Sequence, residues 1–545
     1  MSSSPELDVA IIGTGFAGLQ ALHHLRAQGL RVRAFDEATD VGGTWYWNRY
    51  PGARVDVESL EYDWAFNDEI RRDWQWTERY SAQPEVLRYL QFVADRLDLR
   101  KDISFGTGIE SLVLDEAEMV WNVNTRAGET VRARFVVAAV GFLSAPNVPD
   151  IPGINEFAGQ RVHTGRWPHE GIDFAGKRVG ILGTGATAVQ ITPRVAEEAA
   201  SVSVLQRSPM WCVPLRNMPM PPGYAEKVNA EFEELRRREI EESFGGFVLM
   251  GFELGGPEKR RAMDVTAQER EADYERRWQS GGLCFYMGFR DLLTDERAND
   301  TLREFFERKI REAVDDPATA EALIPKDHPP LTKRLCGETG YYEAFNRDNV
   351  HLVNVRADPI ARFTPEGVEL ESGARHELDV LLLATGFDAG TGPLTTHMTV
   401  AGRGGTTLTE YWVDGARTHL GLMCNGFPNL FLFDGPQSPA AFFSPPLLTD
   451  YQAKFVGRLI ERLDKTGTRS LEPRSEAVAQ WSAYVDGFAA QTLLPRANSW
   501  WMGANIPGKP RQCLYYLGGF PEYRRRCEQM LDSDFADHQL DAPVS

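Results

Sequence analysis

A nucleotide-binding phrase occurs twice in this chain, 170 positions apart: VAIIGTGFAGLQ at Val9–Gln20 and VGILGTGATAVQ at Val179–Gln190. In each copy a short apolar run, the pattern of a buried strand, breaks into a Gly-rich turn and then a helical pattern. That context separates a dinucleotide fingerprint from a chance spacing of glycines. Gly13 permits the tight turn, Gly15 the close approach of a pyrophosphate, and Gly18 the packing of helix on strand. Gly183 and Gly185 repeat the first two roles, and Ala188 replaces the third glycine with one added methyl. The phosphates are expected on the free N–H groups at each helix start. Two such loops imply two dinucleotides held by one protein, and the usual purpose of holding two is to pass a hydride between them. The predicted fold is α/β, with two Rossmann-like dinucleotide-binding domains.

The copies differ where a ribose would lie. Asp36 ends the apolar stretch Val32–Phe35, 23 residues after Gly13. A carboxylate there accepts hydrogen bonds from ribose hydroxyls and repels a 2′-phosphate. The equivalent position after Gly183 is Gln206, followed by Arg207 and Ser208. With the acid gone, a guanidinium beside a hydroxyl suits a 2′-phosphate. The first site is therefore assigned to FAD and the second to NADPH.

A chain of 545 residues is too long for one core. The pattern predicts a first part of the FAD domain over 1–143 and a Pro-rich linker over 144–153. The first part of the NADP domain follows over 154–214, a helical insertion in it over 215–325, and its second part over 326–386. The FAD domain then resumes over 387–545, with a mobile loop at about 487–510. Charge runs such as 231–238 read as solvated helix faces. The balance of 59 basic against 78 acidic residues, −19, disfavours nucleic acid or an anionic membrane as partner. The six cysteines are dispersed with no CxxC and no metal spacing, so no metal is expected. A reduced, cytoplasmic protein is, and a disulfide reductase is disfavoured. The N-terminus has no signal-peptide pattern, and no apolar run approaches the ~20 residues of a membrane span.

Three further segments carry a family resemblance. Phe157, Gly159, His163 and Trp167 form FxGxxxHxxxW; blind to families, a His and a Trp near a domain junction read as packing residues. GGTWYWNRYPGARVD runs from Gly42 to Asp56 and includes Gly43, Thr44 and Trp45. TKRLCGETGYYEAFNRDNVHLV occupies 332–353. Together they resemble the Baeyer–Villiger monooxygenases, flavoenzymes that insert oxygen beside a ketone, over nearly the whole chain. AAVGF in place of the more usual ATG, QRSP in place of QRTP, and Ala188 depart from the pattern without removing a functional group.

The resemblance implies roles. Lys333 would join Arg207 and Ser208 on the NADPH 2′-phosphate, and Arg334 would stand at the reacting centre with Asp56 as its carboxylate partner. On an extended segment such neighbours point opposite ways. Gly43, Thr44 and Trp45 would touch the cofactor, and His163 and Trp167 would act at the interdomain hinge. Trp500, which directly follows Asn498-Ser499, is preferred over Trp501 as the C-terminal-loop residue facing the nicotinamide half. Phe285, Met287, Phe442 and Phe443 would line an apolar ketone pocket. The implied reaction consumes NADPH and O₂ and converts a cyclic or bulky ketone to an ester or lactone through a C4a-peroxyflavin. The rival reading is a sulfide or amine oxygenase. A monomer or weak oligomer is expected.

Overall fold

The computed structural model describes residues 5–64, 67–250 and 254–541. Leu7–Ile12 is apolar at nearly every position and therefore cannot be an edge: it is buried between the parallel strands Val32–Phe35 and Thr130–Ala138. Thr130–Ala138 is the strand at which this single eight-stranded sheet changes from parallel to antiparallel pairing. Its first half pairs antiparallel with Val120–Thr125, which continues to Ile109–Asp115, and its second half runs parallel with Leu430–Leu432. A residue more than 400 positions downstream of the first strand thus completes the first sheet. The helix Phe16–Ala27 begins where the first fingerprint strand ends. It buries Leu19, Leu22 and Leu25 beneath the long helix Pro445–Thr466.

The second sheet is wholly parallel, in the order Val350–Asn354, Ser201–Gln206, Arg178–Leu182, Val380–Leu383, Gln160–His163. Its fingerprint helix is Ala186–Glu198, where Ala188 is fully buried and its methyl is accommodated. The mixed first sheet, with its parallel fingerprint strands, and the parallel second sheet make this an α/β fold with two Rossmann-like units.

Helices fill the chain between the short paired strands Cys212–Pro214 and Cys336–Glu338: Tyr224–Ala230, Phe232–Glu241, Ala267–Ser280, Glu296–Ala313 and Pro317–Leu323. Glu296–Ala313 buries Leu302, Phe305, Phe306 and Ile310, a 3.6-residue stripe on an otherwise charged helix. The charge run at 231–238 is solvated as expected along Glu231, Glu233, Glu234 and Arg237, with an inward edge. Leu235 is buried, and Arg236 turns inward to pair with Glu239 at 2.6 Å.

Two chains cross between the halves, and they run side by side. Asn147 N–H donates to Gly386 O and Asp388 N–H to Ala145 O, both at 2.9 Å. The stretch expected as loop from about 487 starts with the last turn of helix Ser475–Ala490. Beyond it, Trp501 is buried, so this segment is docked on the body. Among the described residues no helix is long and apolar enough to cross a membrane.

Candidate active site

Both fingerprint turns open at the carboxyl ends of their strands, where parallel sheets place ligands. A cleft of about 450 Å³ lies there, lined by Gly13–Phe16, Gly43–Trp45, Asp56 and Tyr62 from one half and by Ala186, Thr187, Gln190 and Arg334 from the other.

The glycines decide whether dinucleotides fit. Gly13 and Gly183 have φ of +103° and +117°, and a Cβ on either would come within 2.4 Å of a carbonyl oxygen, Ala139 O or Ala384 O. A Cβ at Gly18 would stand 1.9 Å from Gly13 O. Gly15 faces only the backbone of Gly43, and Gly185 faces open space. Both turns are shaped so that backbone N–H groups border a void of ligand size, and the residues fit the two expected cofactors. Asp36 does more than the sequence suggests. Its carboxylate accepts Thr14 N–H and Oγ–H (each 2.7 Å) and Ala38 N–H (2.9 Å), so it also holds the phosphate loop. Burial pushes its pKa up while these donors pull it down. A carboxylate offers about four lone-pair sites, which leaves room for a ribose hydroxyl. Glu37, beside it, was not singled out by sequence. It lines the cleft between Arg166 (2.6 Å) and Arg126 (3.1 Å), which together lower its pKa against the effect of burial.

Lys333 and Arg334 diverge. Lys333 enters a group with Arg207, Arg356 and Asp327, where burial lowers its pKa and Asp327 counters. Ser208 Oγ donates to Asp327 Oδ2 at 2.8 Å, and Arg356 lies 3.3 Å from the same oxygen. The acid Asp327 escaped the sequence reading because nothing local marks it. Arg334 turns into the cleft, where Nε and Nη2 each donate to Asp56 at 2.7 Å. Desolvation opposes the guanidinium charge, but Asp56 more than offsets it, so the pKa rises. Nη1 takes no part in the pair. Tyr62 and Tyr286, both pushed up by burial, flank this ion pair electrostatically.

The aromatic residues sort differently from expectation. Trp500 lines the cleft, stacked on Phe142 at 6.0 Å, whereas Trp501 is buried 4.6 Å from Phe442. Phe443 lines the cleft with Phe247. Phe285 does not line it: it packs on Phe306 at 4.9 Å in the core of the helical insertion, with Met287 against the same cluster. On the short 3-10 turn Cys284–Met287 it is Tyr286 that turns toward the site, with its hydroxyl accepting Leu335 N–H at 3.1 Å. Phe442 likewise covers Trp501 rather than the cleft.

His163, Phe157, Gly159 and Trp167 stand at the junction. His163 Nδ1 accepts Gly165 N–H (3.0 Å) and Nε2 meets Gly386 O (3.1 Å), on the returning chain. Burial holds the imidazole neutral, at a pKa of about 4. Phe157 is buried in the second sheet's core, and Gly159 sits where a Cβ would strike Asp379 O at 2.5 Å. Trp167 N–H donates to Trp47 O (3.3 Å), and Arg166 lies over the Trp47 ring at 4.2 Å. The segments 42–56 and 157–167 therefore touch.

A family profile described as "FMO-like: Flavin-binding monooxygenase-like" matches residues 6–235. Acetone monooxygenase (methyl acetate-forming) of Gordonia sp. (strain TY-5) is 42% identical over 96% of this chain and 97% of its own. Phenazine N-monooxygenase PhzNO1 of Lysobacter antibioticus is 41% identical over 97% of this chain and 96% of its own. The solved structure of an oxidized steroid monooxygenase bound to NADP superimposes with a TM-score of 0.91 at 45% identity, covering 98% of this chain and 99% of that one. With identity at this level over nearly the full length of such relatives, the chain belongs to the Baeyer–Villiger monooxygenases.

Proposed function

We propose that this protein uses NADPH and O₂ to oxidise apolar ketones, cyclic or bulky, to esters or lactones. The observation that carries this reading is the bidentate Arg334–Asp56 pair, set in an aromatic-walled cleft between two dinucleotide folds. When bound, FAD supplies the redox chemistry, taking a hydride from NADPH and activating O₂. This chain's residues do the rest. Asp56 holds Arg334 charged and fixed, and the unpaired Nη1 can receive an oxygen on which negative charge develops. Trp500 and Phe142 cover the cleft against water. Arg207, Ser208 and Lys333 would receive the 2′-phosphate of NADPH. His163 and Trp167 would serve the hinge rather than the substrate. We further propose a cytoplasmic enzyme, monomeric or weakly oligomeric, in keeping with six free, buried cysteines.

Removing one preorganised donor to a developing oxyanion costs about 3 kcal/mol or more in activation energy. Arg334→Ala is therefore expected to retain FAD and consume NADPH while ester formation, followed by gas chromatography on a ketone panel, drops by at least about two orders of magnitude. Ester yields equal to wild type would remove Arg334 from the mechanism. The phenazine N-monooxygenase relative supports a second reading, oxygen transfer to a nitrogen or sulfur. A protein that oxidises amines or sulfides and returns ketones untouched would establish it.

A further inference from the structure

Glu61 plays no part in the chemistry above, yet it is buried between the cleft and a small polar cavity and lines both. It sits on the turn Ser59–Tyr62, immediately before Tyr62. Its Oε1 accepts two backbone donors, Val248 N–H at 3.0 Å and Leu249 N–H at 2.7 Å. Glu239, on helix Phe232–Glu241, lines the same small cavity and brings its carboxyl group within hydrogen-bonding reach of that of Glu61. Two carboxyl groups share a hydrogen bond only when one of them carries a proton.

The chain held this way is a wall of the cleft. Phe247 faces the cleft, while Val248 and Leu249 turn their side chains into a satellite core with Val228 and Leu235. Gly245 O accepts Ser444 N–H at 2.9 Å. Gly246, at φ +65°, lies so close to Phe443 that a Cβ would stand 2.3 Å from its ring. The two cleft phenylalanines, 247 and 443, are thus carried by segments packed on each other and tied down at Glu61.

The surrounding charges leave one cation, Arg236, beside two carboxyl groups, which favours a proton shared between them. Glu58, on the same turn, is taken by Arg79 at 2.8 Å. Asp63 accepts Trp76 Nε1–H at 2.7 Å and is pushed by burial to about 7, with Arg71 and Arg236 pulling it down. Arg236 pairs with Glu239. Asp450, on the helix Pro445–Thr466, is bonded to His24 (2.7 Å) and Lys454 (2.8 Å). Burial and the neighbouring carboxylates raise Glu61 well above the usual carboxylate range, and burial raises Glu239 despite Arg236.

We propose that Glu61 is the positioning residue for the Phe247 wall of the substrate pocket, and that a proton shared with Glu239 locks this wall in place. The inference rests on the ketone reading only for what fills the pocket. Its pH dependence has a definite sign. The docked wall binds the proton more tightly than an opened one, in which both acids return to ordinary values. Docking is therefore complete at low pH and weakens as pH rises through the raised value of the docked pair.

Hydrogen exchange on the full, FAD-loaded chain tests this directly. Protection of the Val248 and Leu249 amides, corrected for intrinsic exchange, is expected to fall roughly tenfold or more from mildly acidic to alkaline buffer. Glu61→Gln keeps an acceptor for both amides and offers Glu239 an N–H, so it imitates the protonated pair and should flatten the pH dependence. Glu61→Ala should lose the protection at every pH and raise KM for a bulky ketone several-fold, with kcat changed less. Should Glu61→Ala fail to fold, Glu239→Gln gives the same flattening from the other side of the pair. A wild-type pH slope retained in both Gln variants overturns the shared proton, and protection that survives Glu61→Ala overturns the anchor. Expected exchange without any ketone turnover would support the wall and overturn the ketone reading alone.

Discussion

At the scale of single residues, the Arg334–Asp56 pair concentrates both function and risk. Truncating one member of a fully buried pair costs about 3–5 kcal/mol because the other charge is stranded. Here the side chains are 31% and 21% exposed, so water recovers part of that. Asp56→Ala is expected to lower stability by about 2 kcal/mol, readable as a shift of the denaturant midpoint of the FAD-loaded protein. Asp56→Asn, which keeps one acceptor, should lose less. A midpoint unchanged in both would mean that Arg334 finds another partner. The pair was legible in sequence because two separate motifs each supplied one member, and opposite-facing neighbours at 333–334 followed from extended backbone. The expected ketone-pocket residues divide: Phe443 lines the cleft, whereas Phe285, Met287 and Phe442 do not. An apolar pocket drew attention to Phe285 and Met287, but on a 3-10 turn consecutive side chains fan out by about 120°. The residue between them, Tyr286, is the one that reaches the backbone beside Arg334. Asp327 was invisible for a different reason: its meaning comes from Ser208 and Arg356, far away in sequence.

Elements divide along similar lines. The helix Glu296–Ala313 could be read from its period alone, and so could both fingerprint strand–turn–helix units. Helix Phe232–Glu241 could be read as a helix, but the inward set of Arg236 and Glu239 depends on Glu61 waiting opposite. The terminal pairing of Ser470–Pro473 with His538–Asp541 had no signal at all. Two strands of four residues each find one another across some 65 residues, with His538 packed against His419 at 5.0 Å between ring centres. Both imidazoles are buried, which lowers His419 to about 4 and His538 to about 3. Since free histidine titrates near ~6.5, this element keeps its full stability above that value and loses it as pH falls toward about 4. Amide exchange in 538–541 should accelerate across that window ahead of the sheets, and His538→Phe should blunt the effect. Exchange that stays flat as the buffer is acidified would contradict the burial argument.

Over the whole molecule, the sequence predicted two nucleotide folds and two crossings between them, over 144–153 and at 386–387, but not that the crossings pair with each other. The switch from parallel to antiparallel pairing at strand Thr130–Ala138, within one mixed sheet, and the pairing of 145–147 with 386–388 depend on contacts no local pattern encodes. The halves also grip one another through Tyr50 Oη–H to Gln190 (2.8 Å) and Arg166 to Glu37. Arg166 and Glu37 are each 32% exposed, so breaking their pair should cost less than about 1 kcal/mol of stability. Arg166→Ala is instead expected to act on domain placement. NADPH oxidation should continue with a larger fraction diverted to H₂O₂, and a diversion equal to wild type would leave this contact without a role in coupling. One earlier detail reaches furthest. Lys333 and Arg334 answer to different carboxylates, Asp327 and Asp56, across a single peptide unit of about 3.8 Å. On the proposed roles of these two residues, coenzyme choice and oxyanion placement would be written on one short stretch of backbone. In the proposed mechanism, a variant that trades one pyridine nucleotide for the other through position 333 would be expected to disturb the seating of the Arg334 guanidinium as well.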